Sequence, residues 1–289
     1  MTRELKISIS HEEKKLFVFG KTAALDEFVG NLHLLAFTNE HLSVVRGGPA
    51  DRRAFLDRAM VSLYQGHISH LTNYVRSLKQ RNKILSYLRE GKKSWDEALL
   101  DSWDEALAKP GARILSNRMR YVDQMKNELP PGLFGNEILK IHYLSSIGSD
   151  GSDEFQFEEQ FRKRLFQSRA YDQRTGFTSV GPHRDELKLY VNGKSLGDFG
   201  SAGQQRSSLL ALYFAQMEIH KEMNGDYPLF LVDDAEAELD EQRLKTFLSY
   251  LSQKTQLFLT SAKDFLLPIM PENTRCFEVV RGNVATQQQ

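Results

Sequence analysis

With 289 residues, 40% of them hydrophobic, the chain can bury a sizeable core in one or two domains. Lys and Arg total 38 against 38 Asp and Glu, which excludes a uniformly basic nucleic-acid binder and confines any DNA contact to a local patch. The single cysteine, Cys276, excludes an intrachain disulfide framework and reads as a buried strand thiol. With no signal peptide and no apolar run long enough to span a membrane, the expected compartment is the cytoplasm.

Residues 1 to 22 alternate in strand fashion, with Leu5, Ile7 and Ile9 on one face and a second run from Leu16 to Phe19, which predicts a hairpin. Gly20-Lys21-Thr22 looks like the end of a phosphate loop. No glycine stands five positions before Gly20, so the pair reads as a turn. After the apolar run Leu32 to Phe37 and the punctuation Gly47-Gly48-Pro49, Arg52, Arg53 and Arg58 cluster at a helix start, either facing phosphate or solvated. From Val61 the pattern becomes heptad: Val61, Ile68, Val75 and Asn82 occupy one position, and Tyr64, Leu71, Leu78 and Leu85 the other. Leu115, Val122 and Leu129, with Met119 and Met125, supply a partner stripe after an expected break at Pro110-Gly111. The basic residues Lys79, Arg81, Lys83 and Arg89 read as the solvated face of the first of these helices.

Between the helices, Ser94-Trp95-Asp96-Glu97-Ala98-Leu99 recurs word for word at Ser102 to Leu107. Each copy offers a Ser and a Glu at capping-box spacing, and neither carries expected chemistry. Ile138 to Leu144 reads as a strand after Pro130-Pro131-Gly132, and Phe155 to Arg169 as an amphipathic helix, basic at Arg162-Lys163-Arg164. Gly181-Pro182-His183-Arg184-Asp185 precedes a strand, Leu187 to Val191; His183 and Arg184 could aim donors at phosphate or DNA, or simply build a tight turn.

At Ser201 a helix opens, capped by Gln204 three residues on and continued by Leu209 to Met217. A helix N-terminus flanked by Gly200 and Gly203 suits an anion such as phosphate, although an ordinary capped helix explains the same residues. Leu229 to Val232 then runs as a buried strand into Asp233-Asp234. Carboxylates at the C-terminal end of a strand lie where open α/β sheets bind ligands. A second strand follows at Leu257 to Ser261.

This order resembles the C-terminal half of an ABC-type ATPase head of the SMC and RecF kind. Ser201-Ala202-Gly203-Gln204-Gln205 is similar to the signature motif, Leu229 to Asp234 to the Walker B strand, and Ala237-Glu238-Leu239-Asp240 to the D-loop. The blocks Gly47 to Asp57, Leu78 to Asn82, Gly181 to Asp185 and Gly200 to Arg206 resemble the RecF family in order over nearly the whole chain. The resemblance implies an α/β ATPase head with a helical, partly coiled-coil second lobe. Its divisions would be residues 1–57, the rest of an N-terminal ATPase lobe; 58–135, the helical arm; and 136–289, the C-terminal ATPase lobe.

The same resemblance implies ATP and Mg²⁺ as cofactors, with Asp233 holding the metal shell and Asp234 positioning or deprotonating water. Ser201, Ala202, Gly203, Gln204, Gln205 and Asp240 would meet a partner chain's nucleotide, and Arg52, Arg53, His183 and Arg184 would face DNA. Implied partners are double-stranded DNA or single/double-strand junctions, a second copy or an intact homologue, and other recombination mediators, without a membrane. The pattern departs from the family in one respect: Gly-x-x-x-x-Gly-Lys-Ser/Thr occurs nowhere in these residues. ATP hydrolysis by this chain alone is therefore not expected, and a non-catalytic DNA- or partner-binding module is the alternative. A metal-dependent hydrolase built on Asp233, Asp234 and Glu238 is a third.

Overall fold

A computed structural model describes residues 4–11, 13–92, 97–131, 137–148, 153–234, 241–262, 270 and 274–287. The expected first hairpin forms as β1 (Leu5–Ile9) and β2 (Lys14–Val18), extended by β3 (Lys21–Ala23). Phe19 and Gly20, both at positive φ, make the tight turn between β2 and β3, so Gly20-Lys21 is turn and strand start. Cys276 lies on a terminal hairpin, β10 (Cys276–Val280) with β11 (Asn283–Gln287), and is only half-buried.

The sheet that carries the acids is parallel, in the order β4 (Leu34–Phe37), β8 (Leu229–Val232), β9 (Leu257–Leu259). Around it packs α8 (Ala202–Asn224), whose Leu209, Leu212, Phe214 and Met217 are fully buried. The helix is buried at every position from Ser207 to Met217, which puts it at the centre of the core. Phe230 of β8 meets Phe247 of α9 (Glu241–Ser252) edge to face at 5.6 Å, and Phe247 stacks on Phe214 at 5.7 Å. Over the same core lies an antiparallel sheet, β5 (Leu139–Leu144), β6 (Glu186–Val191) and β7 (Lys194–Ser195), with Asn192 and Gly193 both at positive φ in the two-residue turn.

Two short helices, α1 (Leu25–Phe28) and α2 (Ser43–Arg46), flank β4, and α7 (Leu196–Phe199) leads to α8. After α3 (Pro49–Leu63), the turn at Gly66 breaks the heptad run, and α4 (His67–Arg89) starts afresh. It packs with α5 (Glu97–Glu128) and α6 (Glu154–Thr175) into a helical lobe. The buried side of α4 is His67, Tyr74, Arg81 and Leu88 with Leu85, so one half of the expected seam lies one residue earlier than the apolar pattern predicts. Val75, expected inside, is 60% exposed. The error has a physical source, because the true seam is polar at His67 and Arg81.

Two further expectations are corrected in α5. Pro110-Gly111 does not interrupt it. Glycine there serves packing: a Cβ on Gly111 would lie 2.4 Å from Cε1 of Phe161 and 3.1 Å from Cε2 of Tyr74, so three helices approach through the missing side chain. The second copy of the repeat lies inside the helix, where Ser102 donates to the Ala98 carbonyl at 3.0 Å instead of capping. That copy also carries structural chemistry. Its Asp104, 5% exposed, receives Arg81 and Arg169. One helix thus serves two cores: Leu107, Ala112 and Leu115 pack in the helical lobe, Tyr121, Val122 and Met125 under the sheets.

Candidate functional site

At the C-terminal edge of the parallel sheet, β8 delivers Asp233 and Asp234 to an exposed rim. The Asp233 N–H donates to the Phe37 carbonyl at 3.0 Å and so prolongs the ladder with β4. Thr260, just beyond β9, donates its hydroxyl to Oδ1 of Asp233 at 2.6 Å and accepts from the Asp234 N–H at 3.1 Å. One hydroxyl therefore orients the first acid and the backbone of the second. Asp234 holds φ +51°, left-handed for a non-glycine residue, a conformation that costs of order 1–3 kcal/mol and persists only where its surroundings enforce it. Among the described residues only Oδ1 of Asp233 receives a side-chain hydrogen bond, and an exposed carboxylate of this kind fits a hydrated Mg²⁺ bound through one or two carboxylates and a phosphate.

The second element is the start of α8. Ser201 Oγ accepts from the Gln204 N–H at 3.2 Å, and Gln204 Oε1 accepts from the Ser201 N–H at 2.9 Å, the reciprocal capping box. The N–H groups of Ala202 and Gly203, in the first turn of the helix, have no intrahelical acceptor. Gly203 lies against a cation: a Cβ there would sit 2.9 Å from Nη2 of Arg243. Arg243 donates through Nε to Ser207 at 2.9 Å, and Arg46 donates to Oε1 of the buried Gln205 at 2.8 Å. The helix start is therefore exposed, dipole-positive and braced by guanidinium groups, which fits an anionic phosphate. Asp240, with the rest of Ala237 to Asp240, lies outside the described residues.

The remaining sequence candidates gather at the joint between head and helical lobe, and most are engaged there. Arg52 donates to Glu186 at 2.5 Å and to the Gly47 carbonyl at 2.8 Å; Arg53 donates to the Asp185 carbonyl at 2.9 Å. His183 spends both ring nitrogens inside the protein, Nε2 on the Thr178 carbonyl at 3.0 Å and Nδ1 on the Tyr74 hydroxyl at 2.7 Å. Burial pushes its pKa down to about 4, so at neutral pH it carries no charge for a phosphate. Of the four, Arg184 alone is exposed.

Arg118, which sequence reasoning did not single out, ties the joint together. It holds Asp57 with two bonds, at 2.9 and 2.8 Å, and donates to the Pro182 carbonyl at 2.7 Å. Thr260, Arg46 and Arg243 were equally missed. Only Thr260 had a visible signal, a hydroxyl ending the strand that follows the acids.

A parallel sheet ending in paired acids, beside a serine-capped buried helix and joined to a helical lobe, defines an ABC-type ATPase head. No family model matches the chain. It is 35% identical over 293 residues to the DNA replication and repair protein RecF of Halothermothrix orenii, covering 96% of this chain and 77% of that protein. Against RecF of Streptococcus thermophilus the identity is 34%, covering 98% and 77%. Among solved structures, a recombination mediator protein RecF bound to a thio analogue of ATP superposes with a TM-score of 0.88 at 30% identity, covering 99% of this chain and 76% of that one. The ATP complex superposes at 0.84 and 29%. The chain belongs to the RecF family of DNA replication and repair proteins.

Proposed function

We propose that this chain binds ATP and DNA as a RecF-like, ATP-gated dimeric clamp or loader, in the cytoplasm and alongside other recombination mediators. Its ATP site is composite. Asp233, oriented by Thr260, would hold the Mg²⁺ shell, and Asp234 would position or deprotonate the attacking water. Ser201, Ala202, Gly203, Gln204 and Gln205, with Asp240, would meet the γ-phosphate of the nucleotide on a second chain. Bound Mg²⁺ would neutralise charge between the β- and γ-phosphates. Closure of two heads on two nucleotides is a ligand-driven two-state change, and such a change can gate a grip on DNA. The lobes we assign are 1–57, 58–135 and 136–289, with α6 packing onto the second.

The observation that carries this reading is the exposed, guanidinium-braced start of α8, shaped for a phosphate while Asp233 and Asp234 stand on a separate strand end. These residues contain no phosphate-loop pattern to cradle the β- and γ-phosphates, and positioning is most of phosphoryl-transfer chemistry. That favours a second reading, a non-catalytic DNA- or partner-binding module. The two separate in one assay. On the first reading the purified chain turns over ATP negligibly, while mixing with an intact homologue restores composite sites, and Ser201→Arg abolishes the restoration. Rescue indifferent to Ser201, or substantial turnover by the chain alone, would sink the assignment of the site.

A further inference from the structure

The outer face of α4 is basic and uncompensated. The helix carries Arg76, Lys79, Arg81, Lys83 and Arg89 and no carboxylate, in a chain whose net charge is zero. Arg81 is buried and paired with Asp104 and Asp172, and Arg89 donates to the Thr175 carbonyl at the end of α6. Arg76, Lys79 and Lys83 are exposed, and none of them makes an ion pair among the described residues. At 3.6 residues per turn these three fall within about 60° of one another, opposite the buried seam of His67, Tyr74, Arg81 and Leu88.

The loop after α6 adds a fourth cation to the flank of this face. Asn82 holds the Thr178 N–H and hydroxyl at 2.8 and 2.7 Å; Arg184 donates to the Thr178 carbonyl at 3.1 Å and lies 5.1 Å over the exposed ring of Phe177. From Arg76 to Lys83 the helix rises about 10 Å, which spans about three steps of a duplex at 3.4 Å each. An acidic protein partner would be expected to meet an apolar core inside a charged rim. Here Val75 is the one large apolar side chain exposed on α4, and phosphate contacts need only the cations.

We infer that the outer face of α4, with Arg184 beside it, is a track for the phosphate backbone of double-stranded DNA. This rests on the DNA-binding reading above and adds its location. Phosphate contacts release counterions, so each cation on the track contributes about 0.9 to the slope of log affinity against log salt.

The test is fluorescence anisotropy of a short labelled duplex across a potassium chloride series, with the wild-type chain, the variant Arg76→Gln/Lys79→Gln/Lys83→Gln, and Lys163→Gln on α6 as a control. The triple variant should lose roughly tenfold or more in affinity and about two to three in slope, with unchanged circular dichroism and melting, while the control keeps the wild-type slope. Duplex binding by the triple variant with an unchanged slope overturns this inference and leaves the DNA reading standing. So does loss of labelled polyglutamate binding while duplex binding is untouched, which would mark the face as a site for acidic protein. Failure of the wild-type chain to bind duplex at all overturns both.

Discussion

The head and the helical lobe are held together by different chemistry. Around α8 the core is carbon on carbon: Leu209, Leu212, Phe214, Phe230 and Phe247 are fully buried. Among the described residues of the helical lobe the largest fully buried side chain is a guanidinium, Arg81. Asp104 takes its Nε at 2.7 Å, Asp172 its Nη1 at 2.8 Å, and Thr178 shares Nη1 at 2.9 Å. Apolar packing tolerates exchange among side chains of similar volume. A buried ion network does not, because each partner is stranded when another is removed. The head is thus specified by volume, and the helical lobe by pairing in addition to volume.

The largest effect expected from this difference is at Arg81. Arg81→Met should cost about 3–5 kcal/mol, because it leaves Asp104 and Asp172 buried with a cation missing, whereas Leu212→Met in the head should cost less than about 1.5 kcal/mol. Urea midpoints at neutral pH decide it; comparable losses would dissolve the contrast.

Acid should reach both regions. His183 beside the helical lobe and His220 in the head, 1% exposed, both have pKa values pushed down to about 4, chiefly by burial. A histidine held neutral stabilises fully above its unfolded pKa near 6.5, and the contribution is lost as pH falls from there toward 4, at about 1.4 kcal/mol per unit. Urea midpoints should therefore fall between pH 6.5 and 4, and His183→Gln and His220→Gln should each flatten part of that slope. A slope untouched by either variant would assign the acid sensitivity elsewhere.

Gly111→Ala should cost about 1–3 kcal/mol by driving Phe161 and Tyr74 apart. A neutral melting temperature would show that the three helices can separate freely there. The smallest effect, about 1 kcal/mol, is expected for Ser201→Ala, which removes an exposed cap and leaves the core untouched. A larger loss in urea unfolding would mean that the helix start also supports packing.

What could be read from the sequence follows the same division. The first hairpin, the apolar strand Leu229–Val232 and the capped helix from Ser201 all appear where apolar pattern and local capping chemistry put them. The seam of α4 was misread by one residue because periodicity counts apolar side chains, and His67 and Arg81 are polar. Asp104 was dismissed as part of a repeat for the same reason. Within the candidate site the acids and the helix start were legible, since each is local. Arg46 and Arg243 were not, since each acts across a long sequence separation that no spacing rule encodes, and Thr260 showed only as a hydroxyl ending the next strand.

The unbroken length of α5 has a mechanical consequence. Its 32 residues make a rod about 48 Å long. The two-pronged grip of Arg118 on Asp57 pins that rod to α3 off centre, about 15 Å from one end and about 31 Å from the other. The same rod therefore carries side chains of both cores, with the Asp57 grip between them: Leu107, Ala112 and Leu115 on the long side and Tyr121, Val122 and Met125 on the short one.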